Sequence, residues 1–310
     1  MQVSLEEGTD QTITINKQEL SLSNLDKVYW PKEGTRKVDL VNYYLGVAPY
    51  ILPYMLNRPQ SMHRYPNGIN APHFYQKDVK GKVPDWTEKH TDFSESTDVN
   101  VDYLVCKDEA TLIYMANLGC IEMHPWHSRT SSIDNPDWCL IDLDPEGISF
   151  DRVIECAHVV REVLESIGAV GYCKTSGSTG LHIYIPLGAK YDYDQSKQLA
   201  ELVVTMVNHE IPDYTSIERN PAKRKNKIYL DYLQNRETQT AAAPYSLRPK
   251  PGVPVSTPLH WDEVKKGLTP TTYNINNIFD RLRSEGDLFA PVLGKGINLE
   301  KVIQKLESLA

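Results

Sequence analysis

Apolar residues recur along this chain in two rhythms, one close to every second position and one close to every third or fourth, and the elements follow from where each rhythm holds. Gln11 to Asn16 alternates as a strand, and Leu22 to Lys27 leads into the turn-rich Pro31-Lys32-Glu33-Gly34. Val38, Val41, Tyr44, Leu45, Ala48, Ile51 and Leu52 then return at helical spacing, predicting a helix that stops near Pro53 or shortly after. Arg58-Pro59 opens an extended stretch to Tyr65, closed by Pro66-Asn67-Gly68.

Beyond residue 100 the two rhythms alternate, which predicts a sheet with helices packed on it. Strands are expected at Val101–Val105, Ile121–Trp126, Cys139–Asp144 and Ile228–Leu233, and a strand pair around Ser176–Gly180. Helices are expected at Glu109–Leu118, from Ser149 as N-cap to Ile167, at Gln195–Val207, and through most of the last forty residues, ending on the stripe Val302, Ile303, Leu306. The polar stretch Trp86–Asn100 predicts a boundary between an N-terminal module, 1–95, and a larger core, 96–310, the two forming one compact unit. The fold class is therefore α/β (α+β), with mixed sheets flanked by helices.

Composition narrows the setting. No apolar run reaches the roughly 18 residues that a membrane span needs, and the N-terminal Met1 to Glu7 lacks the basic and apolar regions of a secretory signal. Both observations predict a cytoplasmic protein. The five cysteines are an odd number without a C-x-x-C pair, which speaks against a disulfide framework or a structural zinc site. Net charge is −8, so coating DNA through overall basicity is excluded and any phosphate binding must be local. Arg219 to Lys227, with five basic residues and no acidic one, is such a patch.

Asp142 and Asp144 stand two apart on an apolar strand, so both carboxylates project from one face, roughly 6.6 Å apart along the backbone. Two desolvated like charges repel, and a divalent cation would offset that; an exposed strand end with solvated charges is the alternative. Asp231, inside the strand-like Ile228–Leu233, adds a third carboxylate. Three carboxylates from two strands suit a pair of Mg²⁺ or Mn²⁺ ions, hard cations that prefer oxygen. For Asp231 an ion pair with Arg224 or Lys227 competes with that reading.

The segment Lys174 to His182 contains Thr175-Ser176-Gly177-Ser178-Thr179-Gly180, whose small residues could turn backbone N–H groups toward an anion. It is no Walker A loop, because Gly-Lys-[Ser/Thr] is missing and strand alternation resumes at Leu181. His182 shares a face with Tyr184; a plain hairpin turn carrying a surface histidine is the rival reading. His124, Gln234 and Arg248 are further polar candidates for a triphosphate. Phe74 and Tyr75 could stack on bases, or pack in the core.

Taken in order, these residues resemble the polymerase domain of bacterial ATP-dependent DNA ligase D and its stand-alone relatives in the archaeo-eukaryotic primase superfamily. The resemblance runs from Leu22-Ser23-Asn24-Leu25-Asp26-Lys27-Val28 through Arg58-Pro59, Arg64-Tyr65-Pro66-Asn67-Gly68 and Phe74-Tyr75-Gln76-Lys77. It continues through Glu122-Met123-His124, Asp142-Leu143-Asp144-Pro145, Thr175 to His182, Leu230-Asp231 and Ala243 to Arg248. It implies a primase-like catalytic core acting as a template-dependent nucleotidyltransferase at DNA ends in non-homologous end joining, with a preference for ribonucleotides.

The resemblance also implies roles. Asp142, Asp144 and Asp231 would hold two Mn²⁺ or Mg²⁺ ions; Arg64, His124, Ser176, Thr179, His182, Gln234 and Arg248 would meet the incoming NTP or dNTP. Phe74 and Tyr75 would stack on the template. Asn24, Lys27 and Lys37 would bind the 5′-phosphate of a gapped duplex. Implied partners are DNA ends, a Ku-type end-binding protein and a DNA ligase, with nucleoid association during repair. Three departures stand out: Thr179 where relatives often carry Lys, His63 at another commonly basic site, and Tyr75 in place of a second Phe. A metal-dependent nuclease using the same carboxylates, and a non-catalytic end-binding module, are the rival functions.

Overall fold

The computed structural model describes residues 5, 8, 10–94, 97–224 and 226–309, with side chains to Lys305. The chain forms two compact units, each assembled from non-contiguous segments: 1–131, 240–255 and 274–281 in one, and 132–239, 256–273 and 282–310 in the other.

In the first unit, β1 (Asp10–Ile15) and β2 (Gln18–Ser23) form an antiparallel hairpin. β3 (Val28–Trp30) pairs with the short β4 (Thr35–Arg36), which runs into α1 (Lys37–Met55). The Asp39 carboxylate accepts the Arg36 N–H at 2.7 Å, placing a negative charge at the positive end of the helix. Although Pro49 and Pro53 each remove a donor, α1 continues past both, because Ile51 after the first and Tyr54 and Met55 after the second are fully buried. Its ring hydroxyls then reach across the unit: Tyr43 donates to the Tyr245 carbonyl and Tyr44 to that of Ile121, both at 2.6 Å. β5 (Arg58–Pro59) joins a sheet with β8 (Glu88–Ser94) and β9 (Val99–Cys106), so the polar stretch 86–100 contains a strand. β6 (Met62–Arg64) lies between β7 (Phe74–Gln76) and β10 (Cys120–Glu122), with α2 (Glu109–Asn117) preceding β10. The strand expected through Trp126 ends at Glu122; Pro125, lacking an N–H, leaves only isolated bridges at 125 and 126. At the turn after β6, Gly68 has a φ of +82° and a Cβ there would meet the Tyr29 backbone, so only glycine fits.

The second unit is built on a five-stranded sheet, in the order β12 (Tyr172–Thr175), β13 (Leu181–Pro186), β11 (Trp138–Glu146), β15 (Lys227–Asp231), β14 (Thr215–Ser216). Neighbours are antiparallel except β14 and β15. α3 (Phe150–Ser166) and α4 (Tyr193–Glu210) cover one face, where Cys139, Ile141, Leu143, Leu181, Ile183, Ile185, Ile228 and Leu230 meet Val153, Val160, Leu164, Leu199 and Val203. α3 begins after Ser149, as its sequence predicts, yet the serine hydroxyl makes no cap bond; α4 carries a full capping box through Asp192 and Gln195. The final forty residues are less helical than their periodicity predicts. α5 (Ile278–Glu285) and α6 (Leu299–Leu309) are separated by Gly286, Pro291, Gly294 and Gly296. Val302 is buried, whereas the Leu306 side chain lies outside the described residues.

Candidate active-site residues

Because α3 and α4 occupy one face of the sheet, the period-two pattern sends Asp142, Asp144, His182, Tyr184, Lys174, Tyr229 and Asp231 to the other. Register aligns them. Lys174 pairs with His182, His182 with Asp142, and Asp142 with Asp231, forming a row across four strands. Asp144 is two residues on, opposite Tyr229. The cations that could have neutralised Asp231 are engaged elsewhere: Arg224 lies 3.5 Å from Glu146 and over the Tyr229 ring, and Lys227 donates to the Pro212 carbonyl. Lys225 of that basic patch lies outside the described residues. Asp231 instead accepts the Leu233 N–H at 2.8 Å and the Gln234 side-chain amide at 3.1 Å. Gln234 therefore orients a carboxylate.

Electrostatics set these carboxylates apart. Although Asp144 keeps solvent contact, desolvation by the surrounding atoms raises its pKa, and the Asp231 and Glu146 carboxylates push the same way; Arg224 and a 3.4 Å bond from the Thr179 hydroxyl pull it back. This crowding of like charge is what a cation would relieve.

The loop between β12 and β13 has a different interior from a phosphate nest. Its N–H groups at 178, 179 and 180 all donate to Ser176 Oγ, at 3.1, 3.2 and 3.0 Å, so the serine hydroxyl organises the turn. Gly180 is obligatory, since a Cβ would fall on the Leu143 carbonyl. His182 is buried, with Nε2 3.5 Å from Asp142 Oδ1, and is no surface histidine.

In the first unit a second polar group forms where β10 and β6 pair Glu122 directly with His63. His124 Nε2 lies 2.6 Å from Glu122 Oε2, His63 Nδ1 3.7 Å from the same oxygen, and Arg248 Nε 3.6 Å from Oε1. Burial by itself would push Glu122 up, but Arg248 and the bonds from His124 and His63 hold it well below the usual carboxylate range. Burial lowers His124, with Arg248 and His63 acting in the same direction and Glu122 opposing. His63, Glu122 and His124 have ligand atoms within 4.8 Å of one another and could hold a metal ion. Arg248 is brought here by the turn at 243–248, where Ala243 N–H donates to the Met123 carbonyl and Ser246 Oγ accepts the Met123 N–H.

The remaining candidates lie in the same unit. Phe74 and Tyr75 are both about half exposed, at 47% and 55%, which leaves ring faces for stacking rather than core packing. His63 stacks on Tyr75 at 4.0 Å, and the Arg64 guanidinium sits 5.3 Å from the Phe74 ring. Arg64 also donates to the Leu118 carbonyl and to Gln76, so it braces β6 against β7. Lys27 donates to the Pro66 carbonyl at 2.9 Å and to Asn67; buried Lys37 donates to the Ser23 carbonyl at 2.6 Å. Burial, then the nearby charge of Lys27, lowers Lys37 to about 8, against the pull of Asp10. Asn24, at φ +55°, donates its N–H to that same Asp10.

Sequence reasoning missed the partners. Glu122 stood only inside a motif, His63 only as a departure, and Lys174 only as the edge of a loop. The one signal for Lys174 was its parity, which puts it on the sheet face opposite Cys173.

Comparison with known proteins gives a consistent picture. The family model described as LigD, primase-polymerase domain matches residues 36–289. The chain is 33% identical over 270 residues to the bifunctional non-homologous end joining protein LigD of Bacillus subtilis, covering 86% of this chain and 43% of that protein. It is 31% identical over 276 residues to the multifunctional LigD of Mycolicibacterium smegmatis, covering 87% and 36%. It thus spans less than half the length of these relatives. Among solved structures, the polymerase domain of Mycobacterium tuberculosis Ligase D in complex with DNA superposes with a TM-score of 0.82 at 29% identity, over 90% of this chain and 99% of that one.

Proposed function

Since the chain belongs to the LigD primase-polymerase domain family, we propose that it is a template-dependent polymerase that fills gaps and extends DNA ends with NTPs, by two-metal phosphoryl transfer. The observation that carries this reading is the row in which Asp142 and Asp231 stand opposite each other across β11 and β15, with Asp144 on the same face. Its donor set is all carboxylate oxygen and like-charged, which fits hard divalent cations. Asp142, Asp144 and Asp231 would hold the ion pair, Mn²⁺ or Mg²⁺. When bound, the pair would lower the pKa of a 3′-hydroxyl and neutralise charge on departing pyrophosphate.

The chain's own contribution is position and charge. Gln234 and the Leu233 N–H hold Asp231 in one orientation, and Thr179 does the same more weakly for Asp144. His182, Ser176, His124 and Arg248 are assigned to the triphosphate, Arg248 as the fixed cation. Arg64 acts through Phe74, which with Tyr75 offers stacking surface to the template. Lys27, Lys37 and Asn24 are assigned to the 5′-phosphate of the downstream strand. A terminal phosphate carries up to about two charges, more than an internal phosphodiester, and two ammonium groups exploit that difference. Ribonucleotide preference, a Ku-type protein and a ligase as partners, and a place on the nucleoid belong to the same proposal. No helix among the described residues is long and apolar enough to cross a membrane.

The test is incubation of the protein with a gapped duplex carrying a 5′-phosphate, Mn²⁺ or Mg²⁺, and either NTPs or dNTPs. Template-directed extension that needs the triphosphate supports the reading. Shortening of DNA without nucleotide would make the protein a nuclease, and binding without either reaction would make it an end-binding module.

A further inference from the structure

Lys174 is fully buried in the sheet row beside His182, an unusual place for an ammonium group, and its surroundings explain what it does there. Its Nζ lies 2.9 Å from His182 Nδ1 and 2.5 Å from Ser256 Oγ, with the Tyr184 ring at 5.6 Å. The Ser256 hydroxyl donates its own hydrogen to the Thr175 carbonyl at 2.9 Å, so toward Lys174 it is an acceptor. An ammonium group has donors only. With Lys174 as an ammonium, the imidazole nitrogen facing it, Nδ1, is the acceptor, which puts the ring's N–H on Nε2. Nε2 faces Asp142 Oδ1 at 3.5 Å.

We propose that Lys174 is a positioning residue that locks His182 as a hydrogen-bond donor through Nε2. A ring held this way can donate to a phosphate oxygen, but it offers no lone pair at Nε2 and so cannot take the proton of an attacking hydroxyl or ligate an ion there. This deepens the assignment of His182 to the triphosphate and rests on it. It also separates His182 from a general base, the role an imidazole beside a carboxylate would otherwise suggest.

The decisive measurement is the tautomer of His182, read from imidazole ¹⁵N shifts and long-range couplings in the full chain, with the resonance assigned by its loss in His182→Gln. The wild type should show protonated Nε2 and unprotonated Nδ1. Lys174→Met, similar in length without donors, should convert His182 to a tautomer mixture and raise the nucleotide KM about 10-fold with a smaller change in kcat. Lys174→Gln, whose amide can still donate, should recover part of both. Unchanged signals from the other histidines establish that each variant is folded; if Lys174→Met does not fold, the wild-type spectrum still decides. A wild-type ring protonated at Nδ1, or a Lys174→Met variant with tautomer and KM unaltered, overturns the proposal. An Nε2–H tautomer in the wild type together with a normal nucleotide KM in His182→Ala would keep the lock and refute instead the triphosphate assignment.

Discussion

Two carboxylate groups in this protein, Asp144 on the open face of the five-stranded sheet and Glu122 in the β6–β10 pair, respond to partial or full desolvation in opposite ways. Glu122 is the more deeply buried, yet its pKa falls, because Arg248, His124 and His63 surround it. Asp144 is more exposed, yet its pKa rises, because desolvation, with Asp231 and Glu146 adding like charge, outweighs its cation, Arg224, and the Thr179 bond. The contrast teaches that burial alone does not sort structural from chemical carboxylates. The identity of the neighbours does: Glu122 is neutralised by a cation and two imidazoles within the protein, whereas Asp144 faces other carboxylates and is not.

The sharpest way to break this comparison is to remove a carboxylate from the sheet face. Asp142→Ala or Asp231→Ala should reduce extension by more than about 10³-fold while leaving DNA binding nearly intact and thermal stability equal or higher, since like-charge repulsion is relieved. Primer extension at wild-type rate by either folded variant would end the two-metal reading.

Arg248→Met should act on the other side. Removing the cation strands Glu122, so stability should fall by about 3 kcal/mol, and nucleotide use should drop roughly 10- to 150-fold. Glu122 is depressed in the folded state, so in the wild type its contribution is complete above the ordinary carboxylate value of 4.5 and is lost as pH falls below it. In Arg248→Met the folded-state pKa should rise toward or past that value, so the stability lost on acidification should shrink, which denaturant unfolding across an acid series would reveal.

A smaller effect is expected at the lysines. Wild type should prefer a gapped duplex with a 5′-phosphate, and Lys27→Ala with Lys37→Ala should lose that preference, about 10-fold at fixed salt. Lys37 is lowered to about 8, so it is charged below that pH and neutral above it. The preference should therefore be full at pH 7 and decline as pH rises through 8, an outcome that competition binding can check. Smallest of all is the stability change in Asp144→Asn. The raised pKa means that ionised Asp144 costs stability above that value and regains it on acidification, so the amide should raise Tm by about 1–2 °C at neutral pH. A fall in Tm would show that Asp144 is held by favourable contacts, and the comparison with Glu122 would collapse.

Much of this was legible in the order of residues. Alternation in Cys139–Asp144 and in Leu181–Pro186 assigns each side chain to a face, so the shared face of Asp142 with Asp144, and of His182 with Tyr184, follows from period two alone. The helical stripe from Val153 to Ile167 says which face of α3 is buried. Periodicity is a local property, and a single strand or helix is enough to express it.

Register between strands is not local, and only the tertiary structure decided it. Nothing in the sequence states that Asp142 lies opposite Asp231, that Lys174 stands beside His182, or that Glu122 meets His63 across β6 and β10. Arg248 reaches Glu122 through hydrogen bonds between the 243–248 turn and Met123, a contact spanning more than a hundred residues of chain. The same dependence governs charge state. A carboxylate's pKa is set by the groups within a few ångströms of it, and those are chosen by how distant segments pack.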